Sequence, residues 1–457
     1  MDTTRQSVLF PHLFDGKSVL AKFDQEHSSS DGGALLLKAV DEDLGLSRRL
    51  AGCLEDRRQA GKIQHELEEL LRQRMFGIAC GYADANDAAR IADDPIHKLL
   101  AGRDPVAGPC LASQPTLSRF ENRVRRADLF RMADTLADLV IERHRRRLRG
   151  KVRRITIDMD PTDDPTHGQQ ELAFYNGHYG GWCYLPMVAN LSFGDESEQY
   201  LVAAILRPGN AHASRGAIGM LRRLVAKLRQ AFPKARLRVR LDGGFATPEI
   251  FDFLDEQRLE YLVAMAKNAR LTPRGARLLA RARAQAKRTG KSTAYFGETR
   301  YAARQWKSGP RRVIYKAEVV CLAKRTPRDN LRFVVTNLPH RPESIYDLYR
   351  QRGDDENRIK ELHHGLELDR TSCHRFLANQ FRVLMTAAAY VWMQELRRRA
   401  KGTRFAAAQV TTLREQLLKV AAWIEVSVRR IVVHLPRAFA AKASWLRIAA
   451  RLHATSG

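Results

Sequence analysis

A change of hydrophobic period near residue 155 constrains the fold more than any other feature of this chain. From Gly32 to about Leu148 the apolar residues recur at helical spacing. Leu35, Leu36, Val40, Leu44 and Leu46 make one stripe, and Leu67, Leu70, Leu71, Met75 and Ile78 a cleaner one. Beyond Arg154 the pattern turns to extended apolar runs separated by Gly-rich turns, at Ile155–Asp158, Tyr184–Phe193 and Tyr200–Leu206. A helix is then predicted over about Ala213–Ala231, a strand over Leu237–Leu241, a helix over Pro248–Gln257 and a strand over Glu260–Met265. Most α/β chains alternate strand and helix from the start, so three leading strands are informative.

Three strands followed by helix, strand, helix and strand is the order of an RNase H-like (retroviral-integrase-like) core. The expected class is therefore α/β, with a mostly β insertion, an α-helical N-terminal domain and a helical C-terminal tail. Residues 1–150 form the helical N-terminal region, and 151–267 the first part of the core. Residues 268–340 are the insertion, with a basic helix (Pro273–Arg288) and short strands at Arg312–Val320 and Leu331–Thr336. Residues 341–400 complete the core with long helices at Tyr346–Leu362 and Phe376–Arg399, and 401–457 are a basic helical C-terminal region. The first 30 or so residues are polar and poorly periodic.

With 457 residues, 44% hydrophobic, the chain can bury real cores, yet its formal net charge is +27 and its pI near 10.3. Such a charge makes a polyanion the expected partner, and nucleic acid binding would be steeply salt-dependent. The six cysteines are scattered with no C-x-x-C pair, which argues against zinc and a disulfide framework and fits a reducing cytosol. No signal-peptide core or membrane-length apolar run is seen. Two basic stretches stand out. Ser113–Arg126 has a capping Ser, an early Pro and alternating apolar and Arg positions, as a helix-turn-helix recognition helix can begin, or as a polar bundle helix does. Arg143–Arg154 reads as a solvated helix end or a phosphate-contacting hinge.

Against this basic background three acidic segments are spread over about 200 residues: Ile155–Thr162, Arg240–Gly244 and Tyr349–Glu356. Asp158 and Asp160 lie two apart and face the same side of an extended strand. Asp242 follows a strand and precedes Gly243 and Gly244, which permit a tight turn or close approach of a phosphate; an ordinary turn aspartate looks the same. On a continuous helix Tyr349, Arg352, Glu356, Lys360 and His363 step by three or four along one face. That face is either an ion-paired surface or a carboxylate set among phosphate clamps. Carboxylates gathered from separate elements, with Arg and Lys around them, suit hard divalent ions and phosphodiester chemistry.

These residues resemble a known group. Tyr349-x2-Arg352-x3-Glu356 is similar to the Tyr-(2)-Arg-(3)-Glu-(6)-Lys signature of insertion-sequence DDE transposases. Asp160-Pro161-Thr162 and Asp242-Gly243-Gly244-Phe245 resemble that group's first and second Asp motifs. Stretches from Gln73 to Asp87, Asp164 to Gln169, Tyr175 to Tyr179 and Leu206 to His212 resemble one branch of it, with a D-x-D-x-T first motif. Two departures stand: His363 occupies the position of the signature Lys, and Asp158 competes with Asp160 as the first Asp.

The resemblance implies that Asp160 (or Asp158), Asp242 and Glu356 hold two Mg²⁺ ions, with Mn²⁺ as substitute, one activating water or a DNA 3′-OH and the other stabilising the leaving oxygen. Tyr349, Arg352, Lys360 and His363 would bind DNA phosphates, and Thr116, Ser118, Arg119 and Arg123 are the candidates for DNA recognition. The implied partners are double-stranded DNA (terminal inverted repeats and target) and a second copy in a homodimer; no membrane is implied. The expected setting is the bacterial cytoplasm, at the nucleoid when bound. Two other readings use the same features: an RNase H-like nuclease that stops after cutting, and an inactive transposase-derived DNA-binding protein. His167 and His178 read as structural or phosphate partners rather than metal ligands, and Trp182 and Trp306 as core more readily than as base-stacking residues.

Overall fold

The computed structural model describes residues 7–15, 17–307 and 309–453. Strands β1 (Ser7–Phe14) and β2 (Lys17–Lys22) pair antiparallel, and β3 (Ser28–Ser29) follows. Helices α1 (Leu35–Leu44), α2 (Leu46–Ala51), α3 (Leu67–Cys80), α4 (Ala85–Arg90), α5 (Pro95–Ala101), α6 (Gln114–Arg123) and α7 (Arg126–Arg147) come next. The chain then runs through β4 (Arg154–Pro161), β5 (Asp164–Pro165), β6 (Phe174–Asn176), β7 (Gly181–Tyr184), β8 (Met187–Phe193) and β9 (Tyr200–Ile205). It continues with α8 (Ala217–Ala231), β10 (Arg236–Leu241), α9 (Pro248–Glu256), β11 (Glu260–Met265), α10 (Thr272–Thr289), β12 (Thr293–Tyr301), β13 (Arg311–Val320) and β14 (Arg328–Thr336). Helices α11 (Pro342–Arg350), α12 (Gly353–Lys360), α13 (Phe376–Arg399) and α14 (Val410–Leu413), strands β15 (Ala422–Ser427) and β16 (Arg430–His434), and α15 (Lys442–His453) complete it.

Two compact units result. One takes the described residues up to Ser47, Asp56–Phe120 and those from Glu395 on; the other takes Arg48–Glu55 and Glu121–Gln394. In the first, α3 is buried along nearly all of its length, from Leu70 to Cys80. Asp84 starts α4 with a capping box, accepting from the N–H groups of Asn86 and Asp87. The stretches read as unpatterned or helical at the two chain ends contain hairpins instead: β1–β2, and β15–β16, the latter also pairing with β3. In β15 the burial alternates from Ala422 to Glu425, a period of two too short to outweigh its basic helical surroundings.

In the second unit one sheet has the order β12-β13-β14-β11-β10-β4-β8-β9. Within it β9, β8 and β4 run antiparallel as neighbours, and β10 and β11 add in parallel to β4. This five-strand arrangement is the RNase H-like core that the order of elements predicts. Ile155, Ile157 and Met159 on one face of β4 are fully buried, and so are Leu201, Val202 and Ala204 on β9. A central strand covered on both faces needs apolar or fully paired residues at every position. Strand β14 pairs antiparallel with β11, so β12–β14 extend the same sheet, and α10 packs on them through Ala282 and Ala286 against Val319. A small sheet, β5-β7-β6, branches off just after β4.

The helix predicted over Tyr346–Leu362 is broken. Around Arg352 the backbone makes i→i−3 bonds, from Arg352 N–H to Tyr349 O at 3.0 Å and from Asp355 N–H to Arg352 O at 2.9 Å. Gly353 then opens α12, and Glu361–Gly365 widens into a π-helical turn. Tightening followed by widening turns the side chains away from one straight stripe, and such departures gather at functional positions. No helix among the described residues is long and apolar enough to cross a membrane.

Candidate active site

The register of the parallel pair β4–β10 sets the geometry. Arg240 lies opposite Asp158, and Leu241 opposite Met159. One further step places Asp242 beside Asp160, on strands about 4.8 Å apart. Both carboxylates thus emerge at the C-terminal ends of neighbouring parallel strands, where open α/β sheets bind their ligands.

The two aspartates of β4 have different fates. Asp158 is fully buried; Arg240 Nε and Nη2 donate to its two oxygens at 2.7 Å each, and Gln199 Nε2 donates at 3.0 Å. This is a closed bidentate pair that locks β4 to β10. Asp160 is only partly buried and accepts from Arg352 Nη1 at 2.6 Å. Burial pushes its carboxyl up to about 6 from an ordinary 3.8; Arg352 opposes the rise, while Asp242 and Glu356 add to it. Burial, more than crowding of charge, sets this rise.

Asp242 caps the short turn Gly243–Phe245, accepting from Gly244 N–H at 2.9 Å. A Cβ on Gly244 would lie 2.7 Å from that of Ala213, so the turn needs a glycine there to pass under the 207–216 loop. Glu356 stands exposed on α12, with Arg352 Nη2 3.4 Å from its Oε1. Arg352 therefore spans Asp160 and Glu356. Burial works against its charge, but Asp160 and Tyr349 hold its guanidinium above the ordinary value. Its guanidinium also lies 5.9 Å from the Tyr349 ring, and burial pushes the Tyr349 phenol up despite it.

Lys360 is exposed at the end of α12. His363, in the π-helical turn, is held internally: Nε2 lies 2.9 Å from Thr162 Oγ1, and Nδ1 3.4 Å from Asp369. Thr162 belongs to the first Asp motif, so His363 ties that motif to the turn beyond α12. In α6, Arg119 donates to Thr116 Oγ1 at 3.3 Å; Arg119 and Arg123 are exposed and Ser118 half-buried.

Sequence reasoning assigned no role to three further groups. Asp355, fully buried, accepts from Asn190 Nδ2 at 2.6 Å, and burial beside Asp158 and Asp160 holds its carboxyl well above the ordinary range. The run Asp354–Glu356 was its only signal, and a run does not say which acid turns inward. Asp164, on β5, is fully buried with Thr371 Oγ1 at 2.8 Å, and burial pushes it up to about 8. In the other unit, Asp31 is held by His97 Nε2 at 2.9 Å and Lys419 Nζ at 2.8 Å, with Cys80 beside them. Asp31, Cys80 and His97 bring their ligand atoms within 4.8 Å of one another. The Lys419 ammonium already neutralises Asp31 and lies over the Tyr82 ring, so this cluster is an internal clamp rather than a cation site.

Trp306 is buried against Phe251 and Tyr301. Trp182 is not core: it is 59% exposed, directly opposite the equally exposed Tyr175 on the β6–β7 ribbon. His167 and His178 are exposed.

Known proteins give this arrangement a family. No curated protein matched the chain. Among solved structures it is similar to a cryo-EM structure of a piggyBac transposase synaptic complex with hairpin DNA, at 12% identity and a TM-score of 0.43, covering 85% of this chain and 80% of that one. The family model described as transposase DDE domain group 1 matches residues 11–456. A match of that extent, over a chain whose sheet brings Asp160 and Asp242 side by side, places this protein in the transposase DDE domain family, group 1, as an enzyme of DNA cleavage and transfer.

Proposed function

We propose that this protein is the transposase of a bacterial insertion sequence, acting in the cytoplasm on its own element. It binds the terminal inverted repeats, cuts at the element ends and joins the freed 3′-OH ends to target DNA. The observation that carries this reading is that Arg352 joins Asp160 to Glu356 at the C-terminal edge of β4 and β10, where the strand register brings Asp242 beside Asp160.

The donor set fits divalent ions. All three donors are carboxylates, which suit hard Mg²⁺ or Mn²⁺. Burial raises the Asp160 carboxyl and its acidic neighbours Asp242 and Glu356 add to the rise, and a bound cation would offset both. Asp160, Asp242 and Glu356 would hold two such ions, and Asp158, whose oxygens Arg240 occupies, is a brace between strands. When bound, such ions lower the pKa of the attacking hydroxyl or water and offset charge on the leaving oxygen.

The remaining side chains position DNA. Arg352 can turn its planar fork from a carboxylate to a phosphate, for which guanidinium geometry is matched. Tyr349 steadies that guanidinium, and exposed Lys360 supplies a second cation on the same segment. His363 acts from its bridge to Thr162, within reach of the first motif. Trp182 and Tyr175 offer an open aromatic face to an unpaired base. Thr116, Ser118, Arg119 and Arg123 of α6 read the repeats. Joining two ends calls for a homodimer on paired DNA ends.

Labelled DNA carrying the flanks of the gene, incubated with Mg²⁺ or EDTA, tests this directly. Metal-dependent cuts at the repeat ends, lost in Asp242→Asn while binding persists, are expected. Binding without cleavage by the wild type in Mg²⁺ and Mn²⁺ would leave a DNA-binding relic and remove the active-site assignment.

A further inference from the structure

The turns that lead into β4 and β10, at the strand ends opposite the carboxylates, border an open groove of about 510 Å³. Arg145, Arg146, Arg149, Lys151, Pro233 and Lys234 line it, and its lining holds no carboxylate. The end of α7 builds one wall. Gly150 N–H donates to Arg145 O at 2.9 Å, closing the helix with both Arg149 and Gly150 in the left-handed region. An arginine rarely takes that conformation, and here it folds Arg149 back beside Arg145 and Arg146. The turn after α8, anchored by buried Phe232, brings Lys234 to the opposite wall.

Neighbouring arginines are treated differently. Arg147 is bound to Glu196 at 2.7 Å, and Arg154 and Arg238 to Glu260 at 3.0 and 2.9 Å. Arg145, Arg146, Arg149, Lys151 and Lys234 instead gather around one concavity. Like charges collected without an acid repel one another, so the folded chain is more stable with an anion among them. Long side chains at a helix end and on the turns beside it, with no buried donor behind them, suit a repeating phosphate backbone better than a small enclosed anion.

We propose that this groove is a second DNA contact, gripping the phosphate backbone of a duplex beyond the segment engaged by the carboxylates; it rests on the transposase reading above. From Arg154 to Asp160 β4 spans about 20 Å at roughly 3.3 Å per residue. That equals about 6 base pairs at 3.4 Å each, the shortest arm that can reach from one site to the other.

The test uses the full chain and duplexes extending by increasing lengths past the cleavage point, with binding followed by anisotropy over a salt series. The variant combines Arg145→Glu, Arg146→Glu and Lys234→Glu; a companion with Gln at the same positions guards against misfolding. For long arms the variants should bind at least about 10-fold more weakly near 0.1 M salt, with a log–log salt slope smaller by about 3, at roughly 0.9 for each phosphate no longer neutralised. Arms shorter than about 6 base pairs should bind wild type and variants alike. Equal weakening at every arm length, or an unchanged salt slope, would overturn the second contact. Because the groove is read by binding and the activity by cleavage, a wild type that binds without cutting would sink the catalytic reading alone.

Discussion

Asp158 and Asp160, two residues apart on one strand, should respond oppositely to the same substitution. Asp158→Asn leaves the Arg240 guanidinium buried with its partner charge gone, since Asp158 is fully buried and the Arg240 side chain only 5% exposed. Breaking one side of such a pair costs about 3–5 kcal/mol. At roughly 2–4 °C per kcal/mol for a unit of this size, melting should fall by about 6–20 °C. Asp160→Asn removes a charge that its surroundings disfavour. A carboxyl raised from 3.8 to about 6 carries a penalty of up to about 3 kcal/mol in its ionised form at neutral pH. Neutralising it in the metal-free protein should therefore leave stability unchanged or raise it, by about 1–3 kcal/mol at most. The assay is thermal and urea denaturation of both variants at pH 7.5 in EDTA. A loss of stability in Asp160→Asn equal to that in Asp158→Asn would refute the division of roles, as would an unaffected Asp158→Asn.

Three further outcomes follow from the same geometry. Gly244→Ala sets a Cβ 2.7 Å from that of Ala213 and should displace Asp242, costing about 1–3 kcal/mol and most of the cleavage activity; full activity would show that the turn tolerates the shift. Asp164 keeps its proton in the folded state up to about 8 but loses it near 3.8 when unfolded, so its contribution to stability is present at low pH and declines as pH rises between those values. That slope is roughly 1.4 kcal/mol per pH unit; Asp164→Asn should flatten it, and identical pH profiles in denaturation would contradict the assignment. Divalent-ion affinity, followed by calorimetry, should rise with pH through about 6 as Asp160 gives up its proton, and a flat profile from pH 5 to 7.5 would exclude it as a ligand.

The switch of period at Arg154 made the sheet legible, because three consecutive apolar runs joined by turns leave few arrangements for the helix–strand units that follow. Asp242 was legible for a similar reason, as an acid between a strand and two glycines. Choosing between Asp158 and Asp160 was not, since strand alternation puts both on one side. What separates them is Arg240, 82 residues away and opposite Asp158 only once β4 and β10 are in register. The break at Arg352 was hidden because helical spacing assumes 3.6 residues per turn throughout. Asp355 and the Asp31–His97–Lys419 clamp depend on tertiary burial, which local patterns do not report.

Strand joining separates a transposase from a nuclease or a DNA-binding relic built on the same carboxylates. A pre-cut element end with a free 3′-OH is incubated with a plasmid target, in Mg²⁺ or EDTA, with wild type, Asp242→Asn and Glu356→Gln. Covalently joined end and target are expected only with wild type in Mg²⁺. Cleavage without joining would make the chain a nuclease, and joining that persists in either variant would show that these carboxylates are not the ones that act.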